Sequence, residues 1–531
     1  MNFKALREKI KPMLYEYWPF ILLFVTAAFL RFYKLSYAFS VNGVDEGIHL
    51  MTGKLAAHDF GMYTQMNTMQ GPLFLWVYEL FNGNILAARS LSAVFSLFGV
   101  LGACIIAYKI ANKEVALLTG VFMAFNFYFI KEGRLASIDL FASVLLIWAF
   151  VFLLLYIKKD NHFKRNLLFS GLFFALASMT KLFAVIPLIG VSIYLIVLWL
   201  RRMKFGKEEA LRRFMAMAVF GVTIIATTVA CMSIYGIETT FKGIFLDNLN
   251  RPEQSFWDKI GMFAMFMGLL LVPFIFAYLP VTRHIKKKEV QMLLIWAVPL
   301  LVMYMFQSLT WIHHYTLIVA PVCILGSWGV YDFFNSVQDR IPRPKGKKSI
   351  EEVLKQRHPY IKNRVTGRFV PNIVFFDKKR AIIYSLIVIF TAALIISNFV
   401  MVLPVKRPIE YTVAEDIEKV TTETDFIISG DPLITDYADR LQPPEAANLA
   451  MVQFPPVTPQ LLINLTVEYN VKAVVFTYNL SGQMDYVEYI QDNFVFYRAY
   501  DKEGQISSVE GEIPIATDTF NLYLRPDNST I

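Results

Sequence analysis

Repeated apolar segments of about 20 residues constrain this chain more than any other feature of its sequence. The 531 residues are 56% hydrophobic and only 18% charged. The apolar runs have the length that an α-helix needs to cross a bilayer, and a soluble chain of this length would carry more charge. The chain is therefore predicted to be a polytopic α-helical membrane protein.

The charged residues divide the chain into two regions of opposite net charge. Residues 404–531 hold 20 acidic and 8 basic side chains, a net of −12, so residues 1–403 carry +21 of a chain total of +9. The positive excess lies in short loops between apolar runs, as the positive-inside rule describes for cytoplasmic loops. This distribution argues against nucleic acid as a partner and indicates a multi-pass protein of the cell membrane, with the lipid bilayer as its surroundings.

The apolar runs and their flanking charges predict about eleven spans in a transmembrane domain, residues 1–403. The approximate spans are 18–35, 85–108, 115–131, 138–157, a hairpin of two short spans in 166–200, 213–235, 258–281, 289–308, 314–334 and 381–403. The loop 36–84 is predicted to lie outside. The loop 335–380, with 13 basic and 4 acidic residues, is predicted to lie in the cytoplasm.

Residues 404–531 are predicted to form an extracytoplasmic α/β domain. The runs "DFIISG" and "VKAVVFTY" are short and rich in β-branched residues, as in buried strands, whereas "MDYVEYIQDNF" has the spacing of an amphipathic helix.

Ionisable residues gather on the predicted outer side, where basic residues are usually depleted. Charged groups at membrane depth cost a few kcal/mol each on insertion scales, so they tend to face a cavity and a partner. A single Lys or Arg could instead extend to the headgroups or form a structural ion pair. Taken as a set, these ionisable residues are suited to a pocket that binds an anionic phosphate beside acids that accept a proton. The set comprises Arg89, Lys131, Glu132, Arg134, Asp139, Lys181, His313 and His314, and the acidic pair Asp45 and Glu46 lies on the same side.

The acidic pair Asp45 and Glu46, in "VNGVDEGIHL", has three interpretations. One carboxylate can deprotonate an acceptor hydroxyl while the other supports it. Asp45 can also serve as the N-cap of a helix, which does not exclude catalysis. Glu46 and His49 are three residues apart and could share a metal, but no third ligand has a clear spacing, so no metal is assigned.

Five motifs, in order along the chain, resemble lipid-linked-sugar glycosyltransferases of the C superfamily (GT-C). The most similar members are the protein O-mannosyltransferase and aminoarabinose-transferase group. The motifs are "DEGIHL…MQGPLF", "ARSLSAVFSLFGV" with Arg89, "GRLASIDLF" with Arg134 and Asp139, "ALASMTKLFAVIPL" with Lys181, and "HHYTLIVAP" with His314 and Tyr315. The likeness covers roughly residues 1–335. His314 stands where the family pattern has arginine, and Leu182-Phe183 where it has Gly-Pro.

The resemblance implies inverting transfer of a sugar from a polyprenyl or dolichyl monophosphate carrier to an acceptor hydroxyl, outside the membrane. By analogy, Asp45 would be the general base, supported by Glu46, and Asp139 would orient substrate. Arg89, Arg134, Lys181 and His314 would bind the phosphate. His49, His313, Lys131 and Tyr315 are further candidates.

A transporter or flippase for an anionic lipid or lipid-linked sugar is the alternative from another class. Transporters often contain symmetric repeats with broken helices, and the sequence shows no internal repeat. The sugar remains open, and so does the acceptor, which could be a protein, a glycolipid or a surface glycan.

Overall fold

The computed structural model gives a mostly helical chain with one larger sheet near its C-terminus. It describes residues 3–37, 44–66, 68–158, 163–202, 207–249, 253–338, 360–362, 369–371, 378–403, 407–449, 456–500, 506–507 and 520–526. The N-terminal helices are α1 Phe3–Phe32, α2 Val44–Ala57, α3 Pro72–Leu80, α4 Ile85–Ile110, α5 Lys113–Ala124, α6 Phe127–Glu132, α7 Ile138–Ile157, α8 Phe163–Ser178, α9 Val185–Arg202 and α10 Lys207–Ser233. Lys181 lies between α8 and α9, at the predicted hairpin turn.

The next helices complete the apolar bundle. They are α11 Ile237–Phe241, α12 Asp247–Leu249, α13 Phe256–Leu269, α14 Leu271–His284, α15 Lys288–Phe306, α16 Thr316–Gln338 and α17 Lys378–Val402. A short hairpin, β1 Tyr360–Lys362 and β2 Phe369–Pro371, precedes α17. The core of the bundle lies around α7 and α16, which are buried over most of their length.

Among the described residues, six helices are long and apolar enough to cross a membrane, or seven if α13 and α14 are one broken span. The predicted number of eleven is therefore not confirmed. Helices occur at the remaining predicted positions, but α5 and α8 have only 12 and 16 residues. The apolar parts of α1 and α17, Tyr17–Phe32 and Thr391–Val402, are also short.

Two predicted spans have a break that sequence periodicity did not reveal. The run 115–131 is divided because Asn126 accepts a hydrogen bond from the Phe129 amide at 3.0 Å, which starts a new helix. The run 258–281 bends by 87° between α13 and α14. Pro273, in the first turn of α14, has no amide proton with which to continue α13 through this point.

The chain from residue 407 onward, called the C-terminal region below, contains a mixed five-stranded sheet. Its order is β3-β4-β7-β5-β6, and only β3 and β4 run parallel. The strands are β3 Ile427–Ser429, β4 Ala473–Phe476, β5 Val495–Tyr500, β6 Ile506–Ser507 and β7 Phe520–Leu524; the helices are α18 Ile409–Val420, α19 Pro432–Tyr437, α20 Pro459–Glu468, α21 Tyr478–Ser481 and α22 Met484–Asn493. Strands β3 and β4 and helix α22 lie where the sequence predicts them. Helix α19 packs against α2, which brings this region beside the acidic pair.

Candidate active site

A polar cleft forms where the first turn of α2, the turn between α6 and α7, and the 3₁₀ turn before α16 meet. Its volume, including the open mouth, is about 370 Å³. Most residues that line it were predicted from the sequence. The lining consists of Asp45, Glu46, His49, Lys131, Glu132, Leu135, Ala136, Ser137, Ile138, Asp139 and His313.

Asp45 lies in the first turn of α2 and presents its carboxylate to solvent. Its side chain is 65% exposed, and its Oδ2 lies 4.0 Å from Nε2 of His313. Acidic residues in a first helical turn are favoured by the helix dipole, so the position is stable without a buried cation. An exposed carboxylate beside an imidazole is available to accept a proton from a bound hydroxyl.

Asp139 lines the cleft and forms a buried ion pair with Lys181, which lies outside the lining. Lys181 Nζ lies 3.1 Å from Oδ2 of Asp139, and both side chains are less than a tenth exposed. Oδ1 of Asp139 is buried and has no hydrogen-bond partner among the described residues. His313 Nε2 lies 3.9 Å from Asp139 Oδ2, so this imidazole stands between the two aspartates.

His49 lies one helical turn after Asp45 and lines the same cleft. Burial lowers the pKa of His49 to about 4, against the opposing influence of Asp45. The ring is therefore neutral at pH 7. It can donate or accept a hydrogen bond there but contributes no positive charge toward a phosphate.

Glu46 and Arg89 form a buried ion pair, and most of their hydrogen-bond donors and acceptors have partners within the protein. Arg89 donates from Nε to Glu46 Oε1 at 2.8 Å and from Nη2 to Oε2 at 2.7 Å. The Ala136 amide donates to Glu46 at 2.7 Å, and Nη1 of Arg89 donates to the Ser36 carbonyl at 2.9 Å. These contacts favour a structural role for both residues. They argue against the predicted binding of phosphate by Arg89 and against the predicted direct support of Asp45 by Glu46.

Arg134 is not part of the cleft lining. Its side chain donates hydrogen bonds to carbonyl groups at the C-terminal end of α1. Its guanidinium donates to the carbonyls of Leu30 at 2.7 Å and Tyr33 at 2.8 Å. Basic groups at this end satisfy helix carbonyls that lack intrahelical partners. This geometry also argues against the predicted role in phosphate binding.

His314 and Tyr315 are buried and are not among the residues that line the cleft. His314 Nδ1 accepts the Trp311 amide at 3.2 Å, and its ring meets the edge of Phe183 at a centroid distance of 4.7 Å. Tyr315 is fully buried, and its ring stacks on Phe266. Both residues therefore support the fold beside His313.

Lys131 lines the cleft, as predicted, next to an acid that the prediction did not assign to the site. Glu132 accepts a hydrogen bond from Ser137 Oγ at 2.5 Å. Burial raises the pKa of Glu132, against the opposing charge of Lys131. Glu132 is therefore a further carboxyl of the cleft lining, and its protonated form is favoured by burial.

Comparisons with known proteins show which family model and which folds this chain is similar to. The family model for dolichyl-phosphate-mannose-protein mannosyltransferase matches residues 70–230. No curated protein matches the chain by sequence. The apo structure of ArnT from Cupriavidus metallidurans superposes with a TM-score of 0.61 at 14% identity, covering 95% of this chain and 97% of ArnT. The chain has a GT-C glycosyltransferase fold.

Two further structures with the GT-C fold are similar over nearly the whole chain. ArnT bound to undecaprenyl phosphate gives a TM-score of 0.61 at 15% identity, covering 96% of this chain and 97% of that protein. The apo oligosaccharyltransferase of Archaeoglobus fulgidus gives 0.52 at 11% identity, covering 96% of this chain and 76% of that one. The predicted family resemblance is confirmed, and the predicted enzyme class, a glycosyltransferase, agrees with these matches.

One group of side chains has the composition of a metal site. Ligand atoms of Asp139, His313 and His314 all lie within 4.8 Å of one another. The Lys181 ammonium, 3.1 Å from Asp139, would repel a divalent cation bound there. The alternative pair considered from the sequence, Glu46 with His49, is unsuitable because Arg89 engages both oxygens of Glu46.

The contact between Arg89 and the C-terminal region could not be predicted from the sequence. Arg89 Nη2 donates to the Tyr437 hydroxyl at 3.1 Å, across 348 positions of the chain. No local motif surrounds Tyr437 in "DPLITDY". Correlated substitution of positions 89 and 437 among related sequences is the signal that would have revealed this contact.

Proposed function

We propose that the protein transfers a sugar, with inversion, from a polyprenyl or dolichyl monophosphate carrier to an acceptor hydroxyl. The observation that supports this proposal most strongly is that a solvent-exposed carboxylate, Asp45, lines one cleft with Asp139, which forms a buried ion pair with Lys181. The GT-C fold and the match to a dolichyl-phosphate-mannose transferase model support this reading. The bound lipid of the ArnT structure is undecaprenyl phosphate, the carrier class proposed here.

In the proposed reaction, the acceptor oxygen attacks the anomeric carbon of the donor as the bond from that carbon to the phosphate oxygen breaks. Asp45 accepts the hydroxyl proton, and the lipid monophosphate leaves with the bonding electrons. His313, about 4 Å from both aspartates, can orient the acceptor or relay the proton. No metal is assigned to a step.

Lys181 and Lys131 are the proposed cations for the phosphate. Among the described residues, Lys181 donates a hydrogen bond to one carboxylate oxygen, so its ammonium retains donors for an incoming phosphate oxygen. Asp139 fixes the ammonium, and its unpartnered Oδ1 is available to a sugar hydroxyl or a water. Arg89 and Arg134 are reassigned to structural roles for the reasons given above.

The proposed arrangement in the membrane follows the charge distribution. Residues 1–403 form the transmembrane domain with eleven spans, and residues 404–531 form an α/β domain outside, with the loop 36–84. The loop 335–380 lies in the cytoplasm, outside the described residues except at 335–338, 360–362, 369–371 and 378–380. Single cysteines at exposed positions of 36–84 and 404–531 should react with an impermeant reagent in intact cells, whereas labelling of 335–380 would overturn the topology.

The decisive experiment on function is Asp45→Asn. Helix α2 begins at Val44, so Asp45 lies inside its first turn and is not the N-cap that the sequence allowed. Asparagine has nearly the same size as aspartate, so the variant removes the base and loses only the interaction of the charge with the helix dipole, about 0.3–1 kcal/mol. Transfer should fall by about 100-fold or more, the scale of general base catalysis. Asp485→Asn is the matched control, because Asp485 is also an exposed acid in the first turn of a helix, α22. Near-normal transfer by Asp45→Asn would refute the base assignment.

The same purified protein in proteoliposomes distinguishes transfer from transport. A labelled lipid-linked sugar should lose its label to an added acceptor, with release of lipid monophosphate. Movement of intact donor between leaflets without cleavage would instead support the transporter. Parallel assays with a hydroxylated peptide, a glycolipid and a glycan would identify the acceptor class.

A further inference from the structure

The two residues after Asp45 both contact or support the C-terminal region. Glu46 is held by Arg89, which in turn binds Tyr437 of α19. At Gly47 the backbones meet directly, since a Cβ atom there would lie 2.3 Å from the Leu433 nitrogen, far inside any normal contact. Only glycine permits so close an approach between α2 and α19.

The contact continues along α2 and the segment that follows it. Lys54 forms an ion pair with Asp439, just after α19. Phe60 meets Phe426 edge to face at a centroid distance of 6.3 Å. Apolar side chains of both regions share one buried cluster, which includes Met51, Leu55 and Ala447. The C-terminal region is therefore packed on the whole length of α2.

Tyr437 belongs to a continuous set of hydrogen bonds that reaches the wall of the cleft. Its hydroxyl accepts from Arg89, Arg89 holds both oxygens of Glu46, and Glu46 accepts from the Ala136 amide. Ala136 precedes Asp139 by three residues. The set thus joins the C-terminal region to both elements that carry the aspartates of the cleft.

We propose that the C-terminal region sets the position of the first turn of α2, and that Tyr437 is a positioning residue acting on Asp45 through Arg89 and Glu46. This inference rests on the proposed function only in naming Asp45 as the group that is positioned. Asp45 is largely exposed, so the backbone of α2 determines where its carboxylate lies. Displacements of about 1 Å can reduce a reaction rate about 100-fold, so loosening this turn should slow transfer.

Two substitutions loosen the contact without altering a group that touches substrate. Tyr437→Phe removes one hydrogen bond, and Gly47→Ala forces the two backbones apart. Tyr486→Phe is the control for the first, because this buried tyrosine of the C-terminal region binds Thr466 instead, at 2.9 Å. Gly221→Ala is the control for the second, since a Cβ there would meet nothing within 4 Å.

Hydrogen–deuterium exchange of the full chain in nanodiscs tests the contact independently of transfer. Amides of residues 44–50 should exchange about tenfold faster or more in Tyr437→Phe and Gly47→Ala, and at the parent rate in both controls. Unchanged exchange in both variants would overturn the proposal, whatever the activity.

Kinetics test whether the contact positions the base. Turnover should fall about tenfold in both variants, with the donor KM within about twofold of the parent, because phosphate binding is not altered. Faster exchange with normal turnover would overturn the positioning role. If Asp45→Asn retains transfer while exchange still responds, the base assignment fails and the contact between α2 and α19 stands.

Discussion

The two buried ion pairs beside the cleft differ in how fully the protein satisfies them. In Glu46–Arg89, two parallel hydrogen bonds join the side chains, and the remaining atoms meet a backbone amide, backbone carbonyls and a tyrosine hydroxyl. In Asp139–Lys181, one contact of 3.1 Å joins the two groups, and Oδ1 of the aspartate has no hydrogen-bond partner among the described residues. We call Glu46–Arg89 the saturated pair, because protein groups satisfy its hydrogen bonds, and Asp139–Lys181 the unsaturated pair. A saturated pair stabilises the fold, whereas an unsaturated pair beside a cleft can still form hydrogen bonds to a ligand.

The largest predicted effect on stability is that of Glu46→Gln. This change leaves a buried guanidinium without its counterion, which costs about 3–5 kcal/mol. We expect a strong loss of folded protein in detergent, measured by thermal unfolding and size-exclusion chromatography. Asp139→Asn is the comparison and should lower stability much less while lowering turnover strongly. Equal losses of stability would contradict the distinction between the two pairs.

Sequence reasoning predicted the residues of the unsaturated pair better than those of the saturated one. Asp139, Lys181 and His313 could be grouped because each is an ionisable residue at a predicted outer span end, where only a cavity compensates its cost. Arg89 and Arg134 are also ionisable residues at predicted outer span ends, but in the structure they donate hydrogen bonds to other groups of the protein. Their acceptors include backbone carbonyls, which every residue has and which therefore leave no trace in composition or spacing.

Fold prediction failed at similar points, where a single side chain interrupts a long periodic pattern. The apolar run that crosses Asn126 remains hydrophobic on both sides, so hydropathy alone reads one span. The cap at Asn126 and the proline at 273 decide the breaks by hydrogen bonding, which a sliding average does not detect. The short strands β3 and β4 were predictable because turn residues bound them.

Lys181→Ala should have the next largest effect, now on the donor. Loss of a charge-assisted hydrogen bond to phosphate corresponds to about 1.5–3 kcal/mol, or roughly a 10- to 100-fold rise in the donor concentration required. Acceptor dependence should change little, as steady-state kinetics with both substrates would show. Lys131→Ala, at the second proposed phosphate cation, is the comparison and should raise the donor requirement less. A change confined to acceptor dependence would remove Lys181 from the phosphate site.

A smaller effect should appear in the pH dependence of stability at the C-terminal region. Burial, with the nearby charges of Glu410 and Glu46, raises the pKa of Asp431 from its usual 3.8 to about 7. The folded protein therefore holds a proton that the unfolded chain has lost, so stability should fall as pH rises from about 4 through 7. Asp431→Asn keeps the hydrogen bond from the Leu433 amide and removes this fall in stability with rising pH.

At pH 8, Asp431→Asn should unfold a few degrees higher than the parent, by roughly the shift that about 1 kcal/mol produces. At pH 5 the two proteins should be closer, with the scan rate held constant. Asp492→Asn, at an exposed position of the same region, should follow the parent at both pH values. A parent whose apparent melting temperature rises between pH 5 and 8 would show that Asp431 is ionised in the fold.

The smallest effect is expected from removal of metal ions, and this outcome bears directly on the unsaturated pair. Asp139, His313 and His314 could together approach a divalent ion, but Lys181 already supplies the positive charge next to Asp139. If the lysine is the electrostatic partner of the substrate phosphate, transfer should persist after exhaustive chelation with EDTA and should not increase on addition of Mg²⁺, Mn²⁺ or Zn²⁺. Loss of transfer on chelation, restored by one of these ions in the parent but not in His313→Ala, would instead place a cation between Asp139 and His313. Lys181 would then be a ligand-positioning group, and the interpretation of its ion pair as a phosphate site would be wrong.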